Sequence, residues 1–221
     1  MGLLRELIND FSIDNLITLL LRIAAVILCL TVHEVCHGVA AYALGDPTAK
    51  SMHRLSMNPL RHIDWFGFAA LLLVGVGWAQ PVPVDMRYFK NPKRGMAVTA
   101  LAGPVSNILL AVLLLLAGRF IWSSAPATEL WLGIFEFLLT TALLSVGLGV
   151  FNLLPIPPLD GSKILFSFLP DRAYAFLLRY ERIGMSILYL FVFLDIGNNL
   201  LSSAVSAIYM AMTKIAFAGM V

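Results

Sequence analysis

The sequence predicts an all-α polytopic membrane protein with about five to six transmembrane helices, and three observations support this class. Hydrophobic residues make up 60% of the 221 residues and charged residues only 13%, whereas soluble domains average about 25% charged. The mean hydropathy is +0.88. The apolar residues fall into long runs at 15–44, 96–118 and 131–154, and about 20 such residues suffice to cross a hydrocarbon core.

The first apolar run is bounded by helix signals at both ends. Ser12 or Asp14 can cap its N-terminus, and a Gly-Asp-Pro sequence at 45–47 ends it, because glycine and proline terminate helices. Thirty helical residues rise about 45 Å, which exceeds a hydrocarbon core of about 30 Å. We expect residues 1–9 to form a short amphipathic segment at the membrane interface.

The basic residues orient the chain and set residues 65–79 apart. Seven of the 15 Lys and Arg residues lie in 46–95 and four in 161–182, but only Arg119 lies in the loop after the second run. By the positive-inside rule, the two basic regions are cytoplasmic and that loop is outside. A single crossing by residues 65–79 would put its two ends on opposite sides of the membrane, but the basic sequences on both sides of it are predicted to be cytoplasmic. We therefore expect a short re-entrant or β-like segment near residues 65–84, ending in an extended Pro-Val-Pro-Val sequence.

The rest of the chain adds apolar sequence but no second domain. Residues 162–182 are mixed and basic. Residues 183–218 are apolar with a break at 195–199, which we interpret as a kink or a turn between two helices. The length leaves room for one membrane domain, and we expect residues 1–221 to form it.

The motif with the most chemical information lies inside the first apolar run. His33-Glu34-x-x-His37 places two histidines on one face of a helix, where both imidazoles can bind one Zn²⁺. Glu34 can then act as general base on a metal-bound water. The pattern also occurs by chance in soluble chains. Ionisable residues within a membrane helix are costly, however, and indicate function.

A catalytic zinc needs a third protein ligand, which the motif does not supply. Ala40 and Ala43 stand where a metzincin would have glycine and a third histidine. Asp160 is the best candidate on the cytoplasmic side, since prolines at 155, 157 and 158 hold the chain extended before it. An alternative role for Asp160 is to cap the helix that follows it. The other candidates are Asp46, His53, His62, Asp64, Asp85, Asp171 and Glu181.

The two parts of this candidate site belong to a longer series of motifs. After His33-Glu34-x-x-His37 come Asn-Pro-x-Arg-His-x-Asp at 58–64, Pro-Val-Pro-Val at 81–84, Ala-Gly-Pro-x-x-Asn at 102–107 and Asn-x-x-Pro-x-Pro-Pro-x-Asp-Gly at 152–161. In these motifs and in their order, residues 25–165 resemble the site-2 protease family of intramembrane zinc metalloproteases. The resemblance is closest to small bacterial-type members without PDZ or CBS domains.

The resemblance implies a specific set of site residues. It implies one Zn²⁺ per chain with three ligands: His33, His37 and Asp160. It implies that Glu34 is the catalytic acid/base and that Asn152 contacts the substrate backbone or the oxyanion. It also places Asn107 close to the centre, but a helix–helix hydrogen bond is an equally good role for that residue.

The function implied by the resemblance is zinc-dependent intramembrane proteolysis. We expect an endopeptidase that cleaves peptide bonds in or near the transmembrane helices of substrate proteins. Its partners are then those substrates and the lipid bilayer, with no nucleic acid and no prediction of oligomeric state. We expect a bacterial inner (plasma) membrane location with the active site toward the cytoplasm. The alternative is a non-hydrolytic membrane metal-binding protein, a transporter or a sensor, although the polar groups that a transporter needs across the bilayer are few.

Overall fold

The computed structural model describes residues 12–74, 77–174, 184, 188, 190 and 198–219, which are mainly helical. The helices in this part include α1 (Ile13–Ala43), α2 (Thr48–Ser51), α3 (Trp65–Val74), α4 (Pro92–Ser124), α5 (Glu129–Asn152), α6 (Asp160–Phe166) and α7 (Asn198–Ala216). Two short 3₁₀-helices, Pro59–Arg61 and Met86–Tyr88, lie between them.

Three helices of the described part are long and apolar enough to cross a membrane, and they correspond to the three long apolar runs. They are α1, α4 and α5. The total of five to six transmembrane helices stays a prediction, because most of residues 183–197 lies outside the described residues. The interpretation of the break at 195–199 also stays a prediction, since α7 begins at Asn198 and residues 195–197 are outside the described part.

The sequence signals at the two ends of α1 act as expected. Ser12 is the cap, and its hydroxyl oxygen accepts a hydrogen bond from the Asn15 N–H at 3.1 Å. The helix ends at Ala43, and Gly45 follows with a φ of +105°, a conformation that glycine adopts without steric cost. The Asp46 carboxylate then accepts the Thr48 N–H at 2.9 Å, which starts α2.

The region expected to be β-like is instead helical over Trp65–Val74, which corrects that expectation. This stretch is rich in alanine and leucine, which favour helix, and lacks the alternation of a strand. After α3 the chain returns to its own start: Ile63 and Ala79 form an isolated antiparallel bridge, and the Gln80 N–H donates to the His62 carbonyl at 2.8 Å. Pairing cannot continue into a ladder because Pro81 and Pro83 have no N–H. Re-entry into the membrane stays a prediction.

Helix α4 packs against both α1 and α5 and forms the centre of the described bundle. The core contains the buried residues Ala111 and Leu115 of α4 and Ala142 and Val146 of α5. Small residues allow membrane helices to approach closely, which matters where lipid removes the hydrophobic drive for helix association. Other large apolar side chains, such as that of Leu113 on α4, face outward instead. This arrangement brings the inner faces of α1 and α4 together near the histidine motif.

Candidate metal centre

The two histidines of the motif lie one turn apart on the inner face of α1. His33 is 4% exposed and His37 is 8% exposed. Their rings meet edge to face with centroids 4.5 Å apart, and their Nε2 atoms are 3.0 Å apart. Two ring nitrogens therefore point at the same small volume from one helix.

Asp160 brings the third donor atom from a separate element. It is the first residue of α6, and its Oδ2 lies 3.1 Å from His33 Nε2 and 3.2 Å from His37 Nε2. The capping position of α6 is held by Leu159, so the alternative role of Asp160 as a helix cap is not what its carboxylate does. A Cβ on Gly161 would overlap the Leu153 carbonyl oxygen, and only glycine lets α6 start this close to the end of α5.

The three side chains fit a metal ion. Their donor atoms all lie within 4.8 Å of one another. A tetrahedral zinc with bonds of about 2.0–2.1 Å separates neighbouring ligand atoms by about 3.3 Å, close to the separations of 3.0, 3.1 and 3.2 Å found here. Two imidazoles and one carboxylate are also a donor set that catalytic zinc uses, with the fourth position left open.

Helix α4 forms the wall behind the donors and orients one of them. The His37 Nδ1–H donates to the Thr99 carbonyl at 2.7 Å, which leaves the Nε2 lone pair for a metal. A Cβ on Gly103 would lie 2.5 Å from the His37 ring and 2.6 Å from the His33 ring. Glycine at 103 is therefore required for both imidazoles to lie against α4.

Glu34 lies beside the donors and faces the same cavity. Its Oε2 accepts a hydrogen bond from the Val82 N–H at 2.8 Å. The cavity has a volume of about 480 Å³. Besides apolar residues, it is lined by the polar side chains of His33, Glu34, His37, Thr99, Asn152, Asp160 and Lys163. Among the residues that line the cavity, Glu34 and Asp160 are the two carboxylates. Glu34 thus shares one cavity with the three donors.

The two asparagines of the motif series occupy different places. Asn152 lines the cavity, and its Nδ2 donates to the Leu148 carbonyl of the preceding turn at 3.0 Å. Asn107 is fully buried between α4 and α5 and does not line the cavity. Its main-chain carbonyl accepts the Ser145 hydroxyl at 2.8 Å, while its side-chain Nδ2 has no hydrogen-bond partner among the described residues. Asn107 therefore lies at a helix–helix contact.

The other candidate ligands are used elsewhere in the described structure. His62 Nε2 lies 2.8 Å from the Ser56 carbonyl, and the Asp64 carboxylate accepts the Gly67 N–H at 2.8 Å. Asp85 pairs with Arg87, whose hydrogen bonds hold the pKa of the Asp85 carboxyl below its usual range. Three further candidates behave similarly or lie apart: Asp46 accepts hydrogen bonds from Thr48 and Asp85, Asp171 pairs with Lys93, and His53 is exposed in a turn. Glu181 lies outside the described residues.

Three groups at the site were not identified from the sequence. Two are main-chain groups, the Thr99 carbonyl and the Val82 amide, and main-chain groups have no residue signature. The third is Lys163, whose Nζ lies 3.9 Å from Asp160 Oδ1. Its spacing of three residues after Asp160 on a helix is a signal that could have indicated it.

The chain is similar in sequence to known proteins of one peptidase family. The model of Peptidase family M50 matches residues 121–194, which include Asn152 and Asp160. The Bacillus subtilis (strain 168) protein named "Putative zinc metalloprotease YwhC" is 35% identical over 181 residues, which cover 81% of this chain and 83% of that protein. The chain belongs to peptidase family M50. As a member of this family, also called the site-2 protease family, it is a metalloendopeptidase and an integral membrane protein.

Longer M50 relatives match over part of their length. The protein named "Putative zinc metalloprotease Rip2" of Mycolicibacterium smegmatis is 36% identical over 149 residues, or 64% of this chain and 54% of the relative. The Rip2 protein of Mycobacterium tuberculosis is 34% identical over 150 residues, or 65% of this chain and 55% of the relative. The aligned region thus spans about half the length of these relatives. No solved structure matches this M50 chain significantly.

Proposed function

We propose that this M50 protein is a zinc-dependent intramembrane endopeptidase that cleaves peptide bonds in or near the transmembrane helices of substrate proteins. The observation that carries the proposal is the convergence of His33 Nε2, His37 Nε2 and Asp160 Oδ2. These donors lie on one wall of a cavity that Glu34 also lines. Two of them belong to α1, a helix long and apolar enough to cross a membrane, which supports chemistry at membrane depth.

The reaction divides into one contribution from the metal and several from the chain. A Zn²⁺ held by the three donors would supply Lewis-acid chemistry, lowering the pKa of water toward about 7 and polarising the scissile carbonyl. Glu34 takes the proton of the attacking water and passes it to the leaving nitrogen. Because the Val82 N–H occupies Oε2, Oε1 is the oxygen that faces the water. Asn152 Nδ2 gives up its hydrogen bond to the Leu148 carbonyl and donates to the developing oxyanion instead.

The substrate must lose helical structure before it can react. A transmembrane helix has its carbonyls in internal hydrogen bonds, so it presents a peptide bond only after local unwinding. The unwound stretch then pairs with the Pro-Val-Pro-Val sequence by β-augmentation. Pro81 and Pro83 have no N–H and the Val82 N–H is bound to Glu34. The Val84 N–H is therefore the amide that this sequence can offer to a substrate strand.

This pairing is tested at Val84. Val84→Pro removes the amide, whereas Val84→Ala removes side-chain atoms and keeps it. We expect cleavage of a helical transmembrane peptide to fall about tenfold in Val84→Pro, because the loss of one hydrogen bond between neutral groups costs about 1.4 kcal/mol. Cleavage should change little in Val84→Ala. Equal cleavage by both variants would show that the substrate does not pair here.

The proposed location is the inner (plasma) membrane of a bacterium, with the active site toward the cytoplasm. The distribution of basic residues supports this orientation, and bacterial relatives support the location. His37 lies seven residues before Leu44, which places the donors about 10 Å from the end of α1 that precedes the basic region 46–95. Labelling of single cysteines at 50 and 126 with a membrane-impermeant reagent in intact cells tests the orientation. Labelling of position 50 but not 126 would contradict it.

The hydrolytic function is tested by comparing the purified wild type with Glu34→Gln. We expect one equivalent of bound zinc in both proteins and cleavage of a transmembrane peptide by the wild type only, because glutamine cannot move the proton. Cleavage by both proteins would show that Glu34 is not the general base. Zinc in both with cleavage by neither would favour the alternative of a non-hydrolytic transporter or sensor.

A further inference from the structure

Residues 80–85, called here the 80–85 segment, cross the face of α1 beside Glu34 without regular secondary structure. The segment is tied to the rest of the chain at separate points. The Gln80 N–H donates to the His62 carbonyl at 2.8 Å, and Arg54 Nη2 donates to the Gln80 carbonyl at 2.6 Å. These two bonds hold its first residue, and the position of its later residues depends on other contacts.

The far end of the 80–85 segment is held by Asp46, which is fully buried. Asp46 Oδ2 accepts the Asp85 N–H at 2.7 Å. Its Oδ1 accepts the Thr48 N–H at 2.9 Å and the Thr48 hydroxyl. A buried carboxylate of this kind is stabilised by the amides that it accepts. Asp46 therefore links the C-terminal end of α1 to the end of the segment.

The middle of the 80–85 segment lies directly against α1. The Val82 side chain is 7% exposed, and a Cβ on Gly38 would lie 3.1 Å from Val82 Cγ1. The Val82 N–H donates to Glu34 Oε2 at 2.8 Å. Glu34 and Gly38 on α1 and Asp46 just after it thus present successive contact points for one segment.

We propose that Asp46 is a positioning residue for Glu34. By holding the Asp85 N–H, Asp46 sets the register of the 80–85 segment so that the Val82 N–H fixes one oxygen of the Glu34 carboxylate. The other oxygen, Oε1, then faces the cavity. A general base acts efficiently only when its carboxylate is held in a productive geometry. This inference rests on the proposed hydrolytic role of Glu34, and it adds a residue that touches neither substrate nor metal.

The direct test compares Asp46→Asn with Thr48→Val. Asparagine keeps the shape but has one acceptor oxygen instead of two. With Oδ1 accepting from the two Thr48 donors, Nδ2 faces the Asp85 N–H and cannot accept it. Thr48→Val removes the hydroxyl hydrogen bond to the same carboxylate and leaves the Thr48 N–H and Asp85 N–H contacts. We expect kcat for a transmembrane peptide to fall about tenfold to a hundredfold in Asp46→Asn, with KM and bound zinc unchanged. Thr48→Val is expected to stay within about twofold of wild type. Equal losses in both variants would show that Asp46 acts only through general stability.

A double-mutant cycle with Glu34→Asp separates positioning from folding. The shorter aspartate cannot reach the Val82 N–H from the same backbone position, so the effect of Asp46 on the base is already lost. We expect Asp46→Asn to lower the residual kcat of Glu34→Asp by less than twofold. A loss as large as in the wild-type background would overturn the inference.

Amide hydrogen exchange of the metal-free protein gives a readout that does not depend on activity. Asp46→Asn is expected to raise exchange at least tenfold in a peptide covering residues 82–85, relative to wild type and Thr48→Val. A peptide covering 99–107 of α4 serves as the internal reference. Unchanged exchange at 82–85 would overturn the register argument. Failure of the proposed function would be seen separately, as an inactive wild type or an active Glu34→Gln.

Discussion

The candidate site has two sides that are built differently. The metal-donor side consists of His33, His37 and Asp160 on helices packed against α4, with Gly103 allowing the two imidazoles to lie against its backbone. The base side consists of Glu34 and the 80–85 segment, which has no regular structure and is held by individual hydrogen bonds.

The difference indicates that metal binding and turnover can be changed separately. Displacing a packed helix moves several donors together, because helix–helix contacts are close-packed. Releasing one hydrogen bond of the 80–85 segment shifts only the groups that depend on it. Substitutions on the donor side should therefore lower zinc affinity, and substitutions on the base side should lower kcat with zinc retained.

The largest effect is expected from Asp160→Asn, which removes the donor that α6 contributes. An amide is a poor zinc ligand. Removal of a group that only hydrogen-bonds to a ligand weakens zinc binding about 10–100-fold, and loss of the ligand itself should weaken it more. Metal content after dialysis against a chelator should fall to background, and activity with it. Asp171→Asn is the control, since its carboxylate is 93% exposed and pairs with Lys93. Retention of zinc by Asp160→Asn would place the third donor elsewhere.

The next effect is expected from Asn152→Ala, at the end of α5 in the wall of the same cavity. Loss of a donor to the oxyanion lowers kcat by about 10²–10³-fold in other acyl-transfer sites. We expect a fall of about a hundredfold in kcat for a transmembrane peptide, with bound zinc unchanged. Asn199→Ala, at an exposed position of α7, is the matched control. A parallel loss of zinc would assign Asn152 to the donor side instead.

A smaller effect is expected from Gly103→Ala on the donor side. The added methyl group would lie 2.5 Å from the His37 ring, so both imidazoles must move away from α4. We expect zinc affinity to fall about 10–100-fold, the range for groups that orient metal ligands, as measured by competition with a chelator. Gly133→Ala on α5 is the control, because its Cβ would meet nothing within 4 Å. Wild-type affinity in Gly103→Ala would show that the histidines have room to shift.

The smallest effect is expected from Arg54→Ala, which releases the start of the 80–85 segment. Arg54 Nη2 donates to the Gln80 carbonyl, while the Gln80 N–H stays bound to His62. We expect kcat to fall about threefold to tenfold, corresponding to about 0.6–1.4 kcal/mol, the net worth of one hydrogen bond, with zinc retained. Lys90→Ala removes an exposed positive charge of the same basic region, 46–95, without this contact. Similar losses in both would attribute the effect to charge.

Much of the metal-donor side could be predicted from the sequence. The spacing of His33 and His37 is meaningful as soon as the run is known to be helical, because positions four apart share a face. The ends of α1 were also local features, set by Ser12 and Gly45. For Asp160 the local sequence left two roles open, and helix capping competed with metal binding until the two histidines were found beside it.

The base side could not be predicted in the same way. The Val82 N–H that bonds Glu34 is a main-chain group that every residue except proline carries, so no residue type indicates it. The same holds for the Thr99 carbonyl on the donor side, since every residue carries a carbonyl. The β-like expectation for residues 65–84 was wrong over α3, since a short uniformly apolar run does not distinguish helix from strand by its periodicity.

The sequence by itself determined that this chain is a membrane protein with three long apolar helices and a His33-Glu34-x-x-His37 motif on the first of them. Composition and helical periodicity are local properties, and they suffice for these conclusions. Only the tertiary structure decided that Asp160 meets the histidines across 123 residues from His37. It also decided that the Val82 N–H reaches Glu34 and that Asp46 holds the Asp85 N–H. These contacts depend on how α1, α4 and α6 pack and on where an irregular segment crosses α1, and neither is encoded in the spacing of residues along one helix.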